Sequence, residues 1–494
     1  MIRLKFRAGI SVAAIASVAG CASSPQSDPY YAATEHNIHQ VVAHEVNHVP
    51  ELIQTNAEIE GEHPLGYYVQ LALGQNPEIL AAQRAINASS AVIPQVVSLD
   101  DPMLIDSFQP IDDNSVQTAA GRAPNTLSLS QKFPWFGKLD ARGQVAEQDV
   151  QIAMTRLAQA ELKVTEDVRL AYYEVQFNQR GIAIAEEDAA LLGDLLKIAE
   201  ARYRTGAASQ QDVLRAQVEL DRIDDRLITL RRSLRQSQAD LAKVLHVSPQ
   251  SNLLTPFDID MPSAPEHIEQ LYQLAAECRP ELQERLYAIQ KSQRARDLAE
   301  LDYYPDLTAG LGWQAVTDSE ALSSVSNGND NLAVTLGVNL PIWRDKLDAG
   351  VREWEQRSLE NARRYESTLD DTFRLIRRLM VQIDAIQQQL DLFKGSMIPK
   401  TEQALRVSTA DYRVNKVDFQ QLLDNWSDLL LFHLQVARLE ANLAQTLASL
   451  ERVVGCELAS APTPLPMPEP ADNAAAPASE IPFLAPVPAP EEKK

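Results

Sequence analysis

Leu332-Ala333-Val334-Thr335-Leu336-Gly337-Val338-Asn339-Leu340 alternates apolar with polar or small residues without a break. Successive side chains of a strand point to opposite sides, so Leu332, Val334, Leu336, Val338 and Leu340 share one face and Ala333, Thr335, Gly337 and Asn339 the other. Just upstream, Leu307, Leu311 and Trp313 stand against Thr308, Gly310, Gly312 and Gln314. Some 200 residues earlier, Leu127, Leu129 and Phe133 stand against Thr126, Ser128, Ser130 and Lys132, and a less regular stretch runs over 103–108. Segments of about ten residues, apolar on one side and polar on the other, suit a strand with lipid on one face and water on its other. A soluble hairpin half-buried on a core fits the same alternation. Trp135, Phe136, Trp313 and Trp343 lie near the strand ends, where aromatic girdles occur.

The four strands belong to a repeat. Asn76-Pro77-Glu78-Ile79-Leu80 answers Arg279-Pro280-Glu281-Leu282-Gln283, a shift of 203 that also takes Pro102 to Pro305. Pro134-Trp135-Phe136 answers Pro341-Ile342-Trp343 at 207, Lys138-Leu139-Asp140-Ala141 answers Lys346-Leu347-Asp348-Ala349 at 208, and Tyr203-Arg204 answers Tyr412-Arg413 at 209. Two copies of one unit follow, over 62–250 and 265–456, with a linker at 251–264. Each reads as helix, strand, strand, long helix, long helix.

The expected strands are about 103–108, 125–133, 306–316 and 331–340. The expected long helices are about 139–204, 209–247, 347–414 and 418–454, the first free of proline and, at 1.5 Å per residue, about 100 Å long. Pro399 falls inside the third, where its missing N–H and its ring predict a kink. In the fourth, Phe419, Leu422, Leu423, Trp426, Leu429 and Leu430 recur at spacings of three and four, as in a coiled coil. Four strands cannot close a barrel, and open edges are untenable in lipid, so the sequence calls for several copies; three supply twelve strands.

The N-terminus is an address. Arg3, Lys5 and Arg7 precede an apolar run at 8–19 that is too short for a permanent transmembrane helix. Residues 1–20 read as a signal peptide, and Val18-Ala19-Gly20-Cys21 resembles a bacterial lipobox, with Cys21 lipidated and the chain anchored to the outer membrane. Residues 457–494 are rich in Pro, Ala and Glu and read as a disordered tail. The formal charge of −23 argues against nucleic acid as a partner. Of the three cysteines, Cys278 and Cys456 read as buried free thiols, with pairing in an oxidising compartment as the alternative.

Together these features resemble the TolC-like outer-membrane efflux factors. The residues that carry the resemblance are the lipobox, Phe133-Pro134-Trp135-Phe136-Gly137-Lys138, the turn Tyr203-Arg204-Thr205-Gly206-Ala207-Ala208-Ser209-Gln210-Gln211-Asp212-Val213-Leu214, and the Pro399 helix running into Tyr412-Arg413. The resemblance covers roughly 62–456. It implies a mainly α fold with a small β part: a homotrimer sharing a twelve-stranded outer-membrane β-barrel, four strands per protomer, continued by a periplasmic α-helical coiled-coil barrel. It further implies a conduit for efflux with no enzymatic activity and no cofactor. The implied partners are a periplasmic adaptor (membrane fusion) protein and an inner-membrane pump of the resistance-nodulation-division type. Tip turns carrying Tyr203, Arg204, Gly206, Tyr412, Arg413 and Asn415 would meet the adaptor. Tyr412 and Asp424 match gate residues of the family, while Gln421 stands where a second acid would fall and Val417 where an arginine would. Asp100-Asp101-Pro102-Met103-Leu104 resembles members paired with metal-exporting pumps, with drugs or other small toxic molecules as the alternative cargo.

Two other readings compete. A periplasmic coiled-coil adaptor or scaffold would keep the helices but needs no strand with a lipid-facing side. A zinc metalloprotease would rest on His44-Glu45-Val46-Asn47-His48, which matches H-E-x-x-H, although Pro50 shortens any helix there and no third ligand follows. His36, His39, His44 and His48, within the 21–61 segment, could instead sequester metal.

Overall fold

The structure, a computed structural model, describes residues 59–108, 117–118, 121–257, 267–317, 328–414 and 416–456. The chain starts with a two-residue strand β1 (Gly61–Glu62), followed by α1 (Leu65–Gln75) and α2 (Pro77–Val97). Asn76 separates these helices: its side chain accepts the Glu78 N–H at 2.9 Å and Pro77 occupies the first helical turn. Three strands follow, β2 (Met103–Phe108), β3 (Gln117–Thr118) and β4 (Gly121–Phe133), then α3 (Lys138–Arg204) and α4 (Gln210–Leu245). After β5 (Leu253–Leu254), which pairs in parallel with β1, the order resumes with α5 (Ile268–Cys278), α6 (Pro280–Leu301), β6 (Leu307–Thr317) and β7 (Asn331–Val338). The last helices are α7 (Arg344–Leu392), α8 (Ile398–Arg413) and α9 (Phe419–Val454).

The third long helix departs from the expected continuous run over 347–414. It is divided at Phe393–Met397 by a single π-helical turn, closed by the Ile398 N–H on the Phe393 carbonyl. Pro399 lies just beyond. The widened turn takes up the misfit of a proline ring without ending the helix.

The sheet runs β2-β4-β6-β7 in antiparallel order, with β3 on β4. Its register sorts the two faces. Leu104, Leu129, Leu311 and Val334 form one row, and Asp106, Leu127, Trp313 and Leu332 the next on the same face. Ser130, Gly310 and Thr335, then Ser128, Gly312 and Ala333, form rows on the opposite face. Leu332, Leu336 and Val334 are 72–83% exposed, which a soluble sheet packed on a core would not leave so. Leu340, Ile342, Trp343 and Phe136 continue this exposed apolar surface below the strands.

A polar knot joins sheet to helices. Lys138, at the start of α3, is buried and donates to Asp306 at 2.8 Å, with Asp302 at 3.3 Å. Asp306 also takes the Trp135 N–H at 3.1 Å and Lys132 at 3.1 Å. Below it, α3 packs on α2 and α6, and α6 on α7. Ser89, Asp149, Ser292 and Asn361, from these four helices, line one groove, so the four form an arc with a concave side. Further down, α3 packs on α4 and α9, and α9 on α7 and α8. Arg452–Glu166 at 2.7 Å and Arg438–Glu174 at 2.6 Å tie α9 to α3 in antiparallel alignment.

The expectation of free thiols at Cys278 and Cys456 is corrected: the two form a disulfide, with Cα atoms 6.0 Å apart. The end of α5 meets the end of α9, where Gly455 turns with φ +86° and a Cβ there would lie 2.8 Å from Arg279 Cα. That close approach brings together cysteines 178 residues apart in sequence.

Candidate functional site

The tip of the helical arm gathers the residues singled out by sequence. At its first turn, Gly206 adopts φ +74°, Gly206 N–H reaches Tyr203 O at 3.0 Å and Ala207 N–H reaches Arg202 O at 2.9 Å. This is a glycine-terminated helix end, which a side chain would strain. The second turn repeats the Ala207–Arg202 bond at a shift of 209, as Lys416 N–H to Asp411 O at 2.9 Å, and Val414 N–H also reaches Asp411 O at 3.2 Å. Asn415 itself lies outside the described residues.

The two turns lock to each other through Tyr412. Its hydroxyl donates to Asp212 Oδ2 at 3.1 Å, its ring lies 4.2 Å beneath the Arg202 guanidinium, and its carbonyl accepts from Arg202. Arg202 also donates to Ala207 O at 3.0 Å, and Ser209 donates to Asp212 Oδ1 at 3.2 Å. Tyr412 is 3% exposed and packs on Phe419 at 5.1 Å between ring centroids. Burial, and then the Asp212 carboxylate, push its phenol up to about 12, so it remains a neutral donor at physiological pH. Behind it, Leu422, Trp426 and Leu430 of α9 pack with Leu192, Leu195 and Ala199 of α3.

The other named positions fall elsewhere. Asp424 is exposed and accepts from Gln420 at 2.7 Å, one turn along its own helix, and Gln421 and Arg413 are exposed as well. The structure therefore brings Tyr412 to Arg202 and Asp212, not to Asp424. Tyr203 is 47% exposed, and Arg204 pairs along its helix with Glu200 at 3.4 Å. Neither Arg202 nor Asp212 is among the gate residues that the resemblance implies, yet the repeat holds a signal: the shift that takes Tyr203 to Tyr412 takes Asp212 to Gln421. The acid absent from the second copy is present in the first. Cys21, His36, His39, His44 and His48 lie outside the described residues. Among the described residues no group of three or more His, Cys, Asp or Glu side chains is placed to hold a metal ion, and no helix is long and apolar enough to cross a membrane.

The family model described as outer membrane efflux protein matches residues 68–245 and 271–456. The cobalt-zinc-cadmium resistance protein CzcC of Cupriavidus metallidurans is 24% identical over 407 residues, covering 81% of this chain and 91% of that one. Among solved structures, the outer membrane protein VceC of Vibrio cholerae matches with TM-score 0.65 at 18% identity, covering 79% of this chain and 96% of that one. CusC, whose structures concern folding and transmembrane channel formation, matches with TM-score 0.66 at 16% identity over 81% and 94% of the two chains.

Proposed function

The chain belongs to the outer membrane efflux protein family, and on that premise we propose that three copies close their sheets into a twelve-stranded outer-membrane barrel through which cargo leaves passively. The observation that carries this reading is the two-faced sheet, with leucine and valine rows exposed on one side and serine, glycine and threonine rows on the other. Such a sheet is suited to lipid outside and water inside. Its outer strands β2 and β7 have no partner on one side among the described residues, and further copies satisfy them.

In this reading the arc α2-α3-α6-α7 and the helices below it line a periplasmic tunnel, and the tip turns at 204–209 and 413–418 meet a periplasmic adaptor fed by an inner-membrane pump of the resistance-nodulation-division type. Cys21 carries the lipid anchor. Likeness to the resistance protein for cobalt, zinc and cadmium favours metal cations as cargo. Tyr412, Arg202 and Asp212 hold the tip closed, and three copies of Asp424 raise the local cation concentration near it. The duplicated unit makes two similar arms per copy, and the chain acts as a conduit and not a catalyst.

The test is conductance in a planar bilayer. Purified trimers should form discrete channels whose cation preference falls in Asp424→Ala. Channels with unchanged selectivity would keep the conduit and remove Asp424 from the gate. A folded protein that is monomeric and soluble without its lipid would overturn the barrel.

A further inference from the structure

The trimeric reading leaves open which residues meet where one copy joins the next, and the internal repeat fixes this. Within one copy, the second strand of the first unit (β4) pairs with the first strand of the second unit (β6), Phe133 opposite Leu307 and Leu127 opposite Trp313. At the seam, the second strand of the second unit (β7) must pair with the first strand of the next copy's first unit (β2). Pro134 and Pro341 anchor the second strands to one another, and Pro305 and Pro102 the first strands. Carrying the β4–β6 pairing across with those anchors sets Leu340 opposite Leu104, Val338 opposite Asp106 and Leu336 opposite Phe108.

We propose that β7 of one copy docks on β2 of a second copy in this register, resting on the trimeric reading above, and that Lys346 pairs there with Asp100 and Asp101. Three observations support it. First, the faces agree: Leu104, Asp106 and Phe108 share the apolar face with Leu336 and Val338, which a slip of one residue would reverse. Second, the barrel closes. The row Asp106–Leu127–Trp313–Leu332 ends six residues from Val338 on the same strand, so one copy displaces the register by six and three copies by about 18. At about 3.3 Å per residue and about 4.8 Å between strands, twelve strands then tilt by about 46°. A register two residues longer needs about 54°, beyond the usual range of roughly 35–45°. One two residues shorter gives about 35° but abandons the proline anchors. Third, the charges match. Lys138 is buried against Asp302 and Asp306, just ahead of β6. Its counterpart Lys346 is exposed with no ion pair among the described residues, and so are Asp100 and Asp101, just ahead of β2. The shift of 203 takes Asp302 and Asp306 to Leu99 and Met103, and between those two positions stand Asp100 and Asp101, the acids the seam offers Lys346.

The competing arrangement is a slip of two, because the hairpins themselves differ by that much: Leu104 faces Leu129, whereas Leu307 faces Val338 and not Leu336. Three double-cysteine variants separate the registers: Asp106→Cys with Val338→Cys, with Leu336→Cys, or with Leu340→Cys. Each is oxidised in detergent and run on a denaturing non-reducing gel, with the native size measured beforehand. Covalent multimers chiefly from the Val338 pair, at least five-fold above the other two, are the expected result. Cross-linking chiefly through Leu336 or Leu340 in a trimeric protein would overturn the register and keep the trimer. A monomer in all three variants and in their single-cysteine controls would overturn the trimeric reading itself. Lys346→Glu should lower the yield of trimer, and Asp101→Lys in the same chain should restore it; loss without rescue removes the ion pair from the proposal.

Discussion

Asp188→Asn should stabilise the protein at neutral pH and leave it almost unchanged in acid. Asp188 sits on the inward face of α3, in line with Ala185, Leu192 and Leu195, and is 5% exposed. Its Oδ2 has no hydrogen-bond partner among the described residues. Burial first, and the neighbouring Glu187 second, raise its carboxyl to about 6 from an ordinary 3.8. The folded state therefore binds this proton more tightly than the unfolded chain does. The stabilisation from protonation is complete below the unfolded value, near pH 4, and is lost as pH rises through about 6. At about 1.4 kcal/mol per unit the shift corresponds to roughly 3 kcal/mol, and allowing for screening by nearby solvent brings the expectation to about 2 kcal/mol. The asparagine carries no charge to desolvate, so its melting temperature in detergent should exceed that of the wild type at pH 7.5, and the gap should shrink to about a third by pH 4.5. A variant no more stable than wild type at pH 7.5, or a gap constant from pH 7.5 to 4.5, would refute the assignment of a strained buried carboxylate.

The disulfide closes a loop spanning 178 residues, so Cys278→Ser with Cys456→Ser should lose up to about 5 kcal/mol in denaturant unfolding, and a reductant should bring the wild type to the same midpoint. Asp306→Ala leaves Lys138 buried without its acid at a cost of about 3–5 kcal/mol, and Lys138→Met in the same chain should recover part of it, read from the yield of folded trimer. Tyr412→Phe removes the bond to Asp212, about 1 kcal/mol of latch, so channels in a planar bilayer should open several-fold more often; unchanged opening would exclude that bond from the gate.

Legibility in the sequence followed the range of each cause. The alternation at Leu332–Leu340 reports a local property, one apolar face, and the strand Asn331–Val338 overlaps it. The less regular Met103–Phe108 was found because its sister strand lay 203 residues on. The long helices announced themselves by the absence of proline and by apolar recurrence. What escaped depended on contacts between distant segments. Nothing near Cys278 speaks of Cys456, and the two-residue pairing of β1 with β5 is too short to leave a pattern. The latch joins Arg202 and Asp212 of one unit to Tyr412 of the other, so reading each turn alone picked the tyrosine and missed what holds it.

The π turn at Phe393–Met397 has a consequence at the far end of the molecule. The repeat shift grows from 208 at Lys138 to 209 at Tyr203, while α3 stays an uninterrupted helix. The extra residue in the second copy has its home in that widened turn. In an unbroken α-helix one added residue would rotate everything beyond it by about 100° about the axis; the wider π turn absorbs it. The buried stripe therefore keeps its phase: Ile376 and Ile383 answer buried Val168 and Val175 at 208, and past the turn Ser408 answers buried Ala199 at 209. Tyr203 is half-exposed, whereas its twin Tyr412 is buried and caught. With the phase kept, the two tyrosines differ by what each one meets: Arg202 and Asp212 stand at Tyr412.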